Sequence, residues 1–209
     1  MKKIYKYILI VLAIGLVGYN SVYFKKLSSI KKTTAENFDA ATYSKTLWEE
    51  KLPSKLDSAI ELTDLIRAVE RDPEDAFASH SNALGIGNYR YSLVKLTATA
   101  AVINEDEIVL QVAHFDSLLI ARLATEFIYG NAIRDASGLV DIRDFTNTSD
   151  LNKISEELNK AVRAGVLPSF KQRIRQGDKI EVVAATELNK AHVNFNNLEL
   201  IPVRLKIVQ

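Results

Sequence analysis

The 209-residue sequence contains no cysteine, one methionine, one tryptophan, four prolines and eight glycines. Without cysteine there is no disulfide framework, no thiolate nucleophile and no cysteine-ligated zinc. The low glycine and proline content excludes a collagenous or low-complexity chain. Histidine is nearly as scarce. His80, His114 and His192 lie in three separate segments, and no H-E-x-x-H motif places two of them on one helix face. We therefore expect no metal and no cofactor. The nucleophile-elbow pattern G-x-S-x-G is absent. Gly85-Ile86-Gly87 stops at G-x-G without a preceding strand, so it reads as a loop. An excess of one charge is lacking too: 27 basic groups face 26 acidic ones.

The near-neutral total hides an asymmetry. Residues 1–26 hold five lysines and no acid, which leaves 22 basic against 26 acidic groups beyond them, a net of −4. A faintly acidic body is not built for nucleic acid, where a basic face dominates. Between Lys6 and Lys25 lie 18 uncharged residues, Tyr7 to Phe24, rich in Ile, Leu and Val. As a helix they would reach about 27 Å, enough for a bilayer core. Lys2, Lys3 and Lys6 in front resemble the n-region of a secretory signal. The expectation is an N-terminal transmembrane helix that is not cleaved, with an extracytoplasmic C-terminal domain. A cleaved signal peptide is the alternative. At Leu16-Val17-Gly18-Tyr19 the spacing is that of a bacterial lipobox, but Tyr19 stands where the lipid-bearing cysteine would be.

The remainder alternates between two periodicities. Residues 27–88 read as a tether and a short helical segment. Asp39 caps a helix through Glu50 that Pro53 stops or restarts, and Leu62, Leu65, Ile66 and Val69 recur at helical spacing before Asp72-Pro73. From Tyr89 the period becomes two. Strands are expected at 89–102, 108–113, 118–127, 179–188 and 198–208, with Pro202 marking an edge or a bulge. Between the third and fourth, Thr148 or Ser149 caps an amphipathic helix. Its Leu151, Ile154, Leu158, Ala161 and Val162 form one stripe, with Glu156, Glu157, Asn159, Lys160 and Arg163 facing away, and Gly165 ends it. The fold class expected is α+β: the membrane helix (1–26), the short helical segment (27–88), and a five-stranded OB-like β-barrel (89–209) with a helix between strands 3 and 4. An open α+β sheet with the same helix on one face is the alternative.

Three blocks carry a family resemblance: Phe38-Asp39-Ala40-Ala41-Thr42-Tyr43 with Leu47-Trp48; Ile128 to Ala136 followed by Asp144-Phe145-Thr146-Asn147; and Ile201-Pro202-Val203-Arg204-Leu205. The chain resembles, over roughly residues 38–208, an uncharacterised bacterial family of predicted periplasmic lipoproteins. The resemblance implies an extracytoplasmic, membrane-attached protein. Some family members are encoded near sugar ABC transporters, which implies sugar ABC transporter components as partners. The departure at Tyr19 puts lipid attachment in doubt and leaves the exported fold untouched.

Polar groups concentrate between residues 126 and 147. The candidate ligand-binding residues are Glu126, Gly130, Asn131, Arg134, Asp135, Asp144, Thr146 and Asn147. Gly130 permits positive φ or close backbone approach. Arg134 offers a planar fork of donors suited to a carboxylate, a phosphate or vicinal hydroxyls, and the carboxylates and amides can serve hydroxyl groups. The structural alternative is that Arg134 pairs with Asp135 or Asp144 while the asparagines cap turns. The functional expectation is a non-catalytic membrane-anchored accessory protein that binds a small solute or a sugar-transport component. A carboxylate-dependent hydrolase of envelope carbohydrate, using Glu126, Asp135 and Asp144, and a ligand-free structural envelope protein are the alternatives.

Overall fold

The computed structural model describes residues 4–8, 38–114 and 117–208. The chain divides into two units, Met1–Phe38 and Asp39–Gln209. In the first, residues 4–8 are helical and exposed. The expected membrane span, Tyr7 to Phe24, lies outside the described residues beyond Ile8. Among the described residues no helix is long and apolar enough to cross a membrane. Over the described residues the fold class is therefore corrected to α+β with no membrane-spanning helix among them.

The second unit opens on helices shaped by capping and proline. Asp39 caps α1 (Ala40–Thr46): its Oδ1 accepts from the Ala41 and Thr42 N–H groups at 3.1 Å each. Pro53 does not stop this helix. The chain widens into a π turn, Leu47–Lys51, and continues as α2 (Leu52–Asp57), with the Leu52 N–H reaching back to the Leu47 carbonyl. A proline has no N–H and its ring crowds the carbonyl one turn back, and a wider turn relieves both. Two further helices follow, α3 (Leu62–Arg71) and α4 (Pro73–His80), the latter capped by Asp72.

The sheet has six strands: β1 (Ile60–Glu61), β2 (Tyr89–Ile103), β3 (Glu107–His114), β4 (Ser117–Ala124), β5 (Lys179–Asn189) and β6 (Leu198–Val208). Their order is β1-β2-β3-β4-β6-β5, and β5 also pairs with β2. The pairings are antiparallel except β1–β2 and β4–β6. The five-stranded barrel expected from the period-two segments is thus corrected to a six-stranded sheet. The missed strand, β1, is two residues long, too short to show an alternation. It pairs with Val94 and Lys95 on β2, while β3 pairs with β2 over Thr99 to Ile103, so β1 covers backbone groups that β3 does not reach. The third strand ends at Ala124 rather than 127, because the Thr125 N–H turns to the Asp106 carbonyl at 2.8 Å. In β6 the register slips at Pro202, which faces Ala184 while Arg204 faces Val183. A bulge there spares the ladder a missing donor.

Both faces of the sheet are used. Val94, Leu96, Ala98 and Ala100 of β2 join Ile180, Val182, Ala184 and Leu188 of β5 in one cluster, into which α3 sends Leu62 and Leu65 and α4 sends Phe77. Tyr91 and Leu93, on the opposite face of β2, are buried as well, and a helix carrying the candidate residues packs against β2 and β5.

Candidate functional site

That helix, α5 (Ala132–Ser137), falls within the polar stretch between residues 126 and 147. Gly138 ends it in the left-handed region at φ 62°, with the Asn82 side chain 3.0 Å from where a Cβ would stand. A side chain at 138 would meet both strain and a clash. Asn82 in turn donates to the Ala136 carbonyl at 3.1 Å.

On α5, Arg134 is 7% exposed and Asp135 is 4% exposed. The Arg134 Nε donates to the Asp135 Oδ1 at 2.7 Å, and Nη1 donates to the Leu151 carbonyl at 3.0 Å. Asn131 Nδ2 donates to the other oxygen of Asp135. The buried charge pair is therefore hydrogen-bonded on both members, as a desolvated pair requires. Among the described residues, Arg134 Nη2 has no acceptor.

The other wall is α6 (Thr148–Ala161), followed by a second π turn (Val162–Val166) and α7 (Leu167–Arg173). Asn147, rather than Thr148 or Ser149, caps α6, accepting from the Asp150 N–H at 3.0 Å. Pro168 widens this helix as Pro53 widens the first, so Gly165 sits inside a continuing helical run instead of ending it. Asn159, read from sequence as outward-facing, is 2% exposed and donates to the Gly130 carbonyl at 2.8 Å. Gly130 has φ 77°. Arg163 also turns inward. It donates to the Ile128 carbonyl and to Glu156, and lies 5.4 Å from the centre of the Tyr129 ring.

Between α5 and α6 lies a depression of about 480 Å³ lined by Gly130, Asn131, Arg134, Asn152, Ser155, Glu156 and Asn159. Three of the candidate residues, Gly130, Asn131 and Arg134, are brought together there. Asp135 stands behind Arg134 as its counter-ion. Glu126 is at the surface, ion-paired with Lys171 at 3.3 Å. Asp144 and Thr146 are exposed, and Asn147 serves as the cap. The four lining residues on α6 were missed by sequence reasoning. They occupy the polar side of an amphipathic helix, and nothing local marks which polar positions face another helix. Glu156 is the one carboxylate in the lining, and Arg163 already holds it. Asp141 is pinned by Arg143, whose hydrogen bonds lower its carboxyl to about 2.

Tyr91 links this site to the sheet. It faces Glu187 across the β2–β5 ladder. Burial, then a hydrogen bond with Glu187, raises its phenol to about 12. The folded state thus holds the proton more tightly than an unfolded chain, whose tyrosine titrates near 10. The stabilisation contributed by Tyr91 is fully present below about pH 10 and is lost as pH rises towards about 12. Denaturant titrations across this window should show the fall, and Tyr91→Phe should flatten it.

A closed circuit of antiparallel pairs with one parallel contact, β4–β6, and a helix entering between β4 and β5, places the chain among OB-fold proteins. It is similar to an OB-fold protein of Thermotoga maritima whose crystal structure is known, with 27% identity and a TM-score of 0.71 over 83% of this chain and 100% of that one. The chain belongs to the DUF2291 family of predicted periplasmic lipoproteins, whose model matches residues 12–206. No curated protein matches it.

Proposed function

We propose that the protein is a non-catalytic extracytoplasmic accessory module that binds a small, neutral, hydroxyl-rich solute between α5 and α6, in support of sugar ABC transporter components. The observation that carries this reading is Arg134: buried, held in one pose by Asp135 and the Leu151 carbonyl, and lining a polar depression of about 480 Å³. The charges balance, since Arg134 is offset by Asp135 and Glu156 by Arg163. A neutral ligand pays no Coulomb penalty there, while amides, a hydroxyl and a carboxylate can satisfy its hydroxyl groups. Pre-positioned donors also lower the ordering cost of binding.

The test is calorimetric titration of the full chain with glucose, ribose and xylose. At least one should bind saturably. Asn152→Ala, a change at an exposed position, should weaken binding about tenfold, the loss of about one hydrogen bond. Absence of saturable binding by all three sugars would reject the solute reading. Crosslinking in native membranes that recovers no transport component would reject the partnership.

A further inference from the structure

A larger cavity, of about 700 Å³, shares no lining residue with this depression, and its lining includes Phe77, Asn82, Asn88, Arg90, Lys190 and Glu74. We propose that it binds a small organic anion, a carboxylate or phosphate on a carbon skeleton. The reasoning begins with strand register. Arg90 faces Leu188 across the β2–β5 ladder, so the two share a face. Leu188 belongs to the same apolar cluster as Phe77. Arg90 therefore continues the inward row of β2 past its last apolar member, at the rim of the core. The next residue inward on that row, Ser92, is fully buried and its hydroxyl has no hydrogen-bond partner.

The Arg90 side chain is half-buried and, among the described residues, makes no hydrogen bond or ion pair. Eight other arginines each donate at least one hydrogen bond: Arg67, Arg122, Arg134, Arg143, Arg163, Arg173, Arg175 and Arg204. Arg71, the remaining one, is exposed to water. Lys190 is fixed beside Asn88 by a 2.8 Å backbone hydrogen bond, and its ammonium has no partner among the described residues either. A guanidinium cannot shed its proton, so a partly desolvated one calls for an acceptor. Two unpaired cations against Glu74 leave the cavity with a net positive charge in a body that is otherwise acidic. Its volume exceeds what an inorganic ion fills, and Phe77 offers carbon surface beside the cations. An oxyanion on a carbon frame matches both.

The experiment measures binding to the full chain at low salt with glucose 6-phosphate, glucuronate, inorganic phosphate and glucose as probes. Glucose 6-phosphate or glucuronate should bind saturably and more tightly than inorganic phosphate, and added salt should weaken the binding. Arg90→Gln and Lys190→Gln should each weaken it about tenfold or more, and Asn152→Ala should leave it unchanged. Lys190 is exposed, so its variant tests the site even if Arg90→Gln folds poorly. The proposal is overturned if neither organic anion binds, if inorganic phosphate binds as tightly, or if binding survives in the double variant. Failure of glucose to bind bears on the α5–α6 depression alone, so the two sites are judged separately.

Discussion

Asp135→Ala should be the most damaging single change near the candidate site, lowering stability by about 3–5 kcal/mol. It leaves the Arg134 guanidinium buried with one carbonyl, that of Leu151, as its remaining partner. It also strands Asn131, which donates to the same carboxylate. For a unit of this size that loss corresponds to a fall in melting temperature of about 10 °C. Removing both charges in Arg134→Met/Asp135→Ala should cost clearly less than the sum of the single changes, because no charge is then left buried alone. Thermal unfolding of the three variants checks this. A loss under about 1 kcal/mol for Asp135→Ala would mean that the pair is solvated, and the pre-positioning of Arg134 would fail with it.

Phe170→Ala should cost a similar amount, about 3–5 kcal/mol. Phe170 is 2% exposed and carries α7 into the same cluster as Leu110 and Leu123 of the sheet. Truncating it removes the transfer energy of a phenyl ring and leaves a void beneath a helix that begins at a proline-widened turn. Phe127 provides the internal control. It is 63% exposed, and Phe127→Ala should change stability by no more than about 0.5 kcal/mol. Denaturant unfolding of both variants separates the two cases. Equal effects would contradict the seating of α7.

The contrast between these two phenylalanines shows where local pattern stops informing. The strands announced themselves because Val94, Leu96, Ala98 and Ala100 alternate with more polar residues, and that alternation is a local record of one buried face. Leu93 and Tyr91 break the alternation, since α5 covers the opposite face at that end of β2. The burial of Arg134 was not legible for the same kind of reason. Its pairing with the neighbouring Asp135 was one of the two readings the sequence offered, but its second partner is the Leu151 carbonyl, 17 residues away, on a helix whose approach no local spacing encodes. Asn159 sits on the polar side of α6 by periodicity, yet it is buried because the Gly130 carbonyl meets it there. The helix carrying Arg134 and Asp135 is six residues long, too short for its apolar positions to establish a period. Arg90 gave no signal at all, being one charge at the start of a strand.

Sequence by itself determined the absence of thiol chemistry, the mildly acidic body, most strand and helix positions, the Asp39 cap and the polar concentration around Arg134. Each of these depends on residue type or on neighbours within a few positions, where chemistry and period act directly. Tertiary structure alone decided that the sheet takes a sixth strand, that prolines 53 and 168 widen helices without ending them, and which polar groups face one another across α5 and α6. Those outcomes depend on carbonyls and side chains far apart in the chain, and their free energy exists only once packing has brought them together.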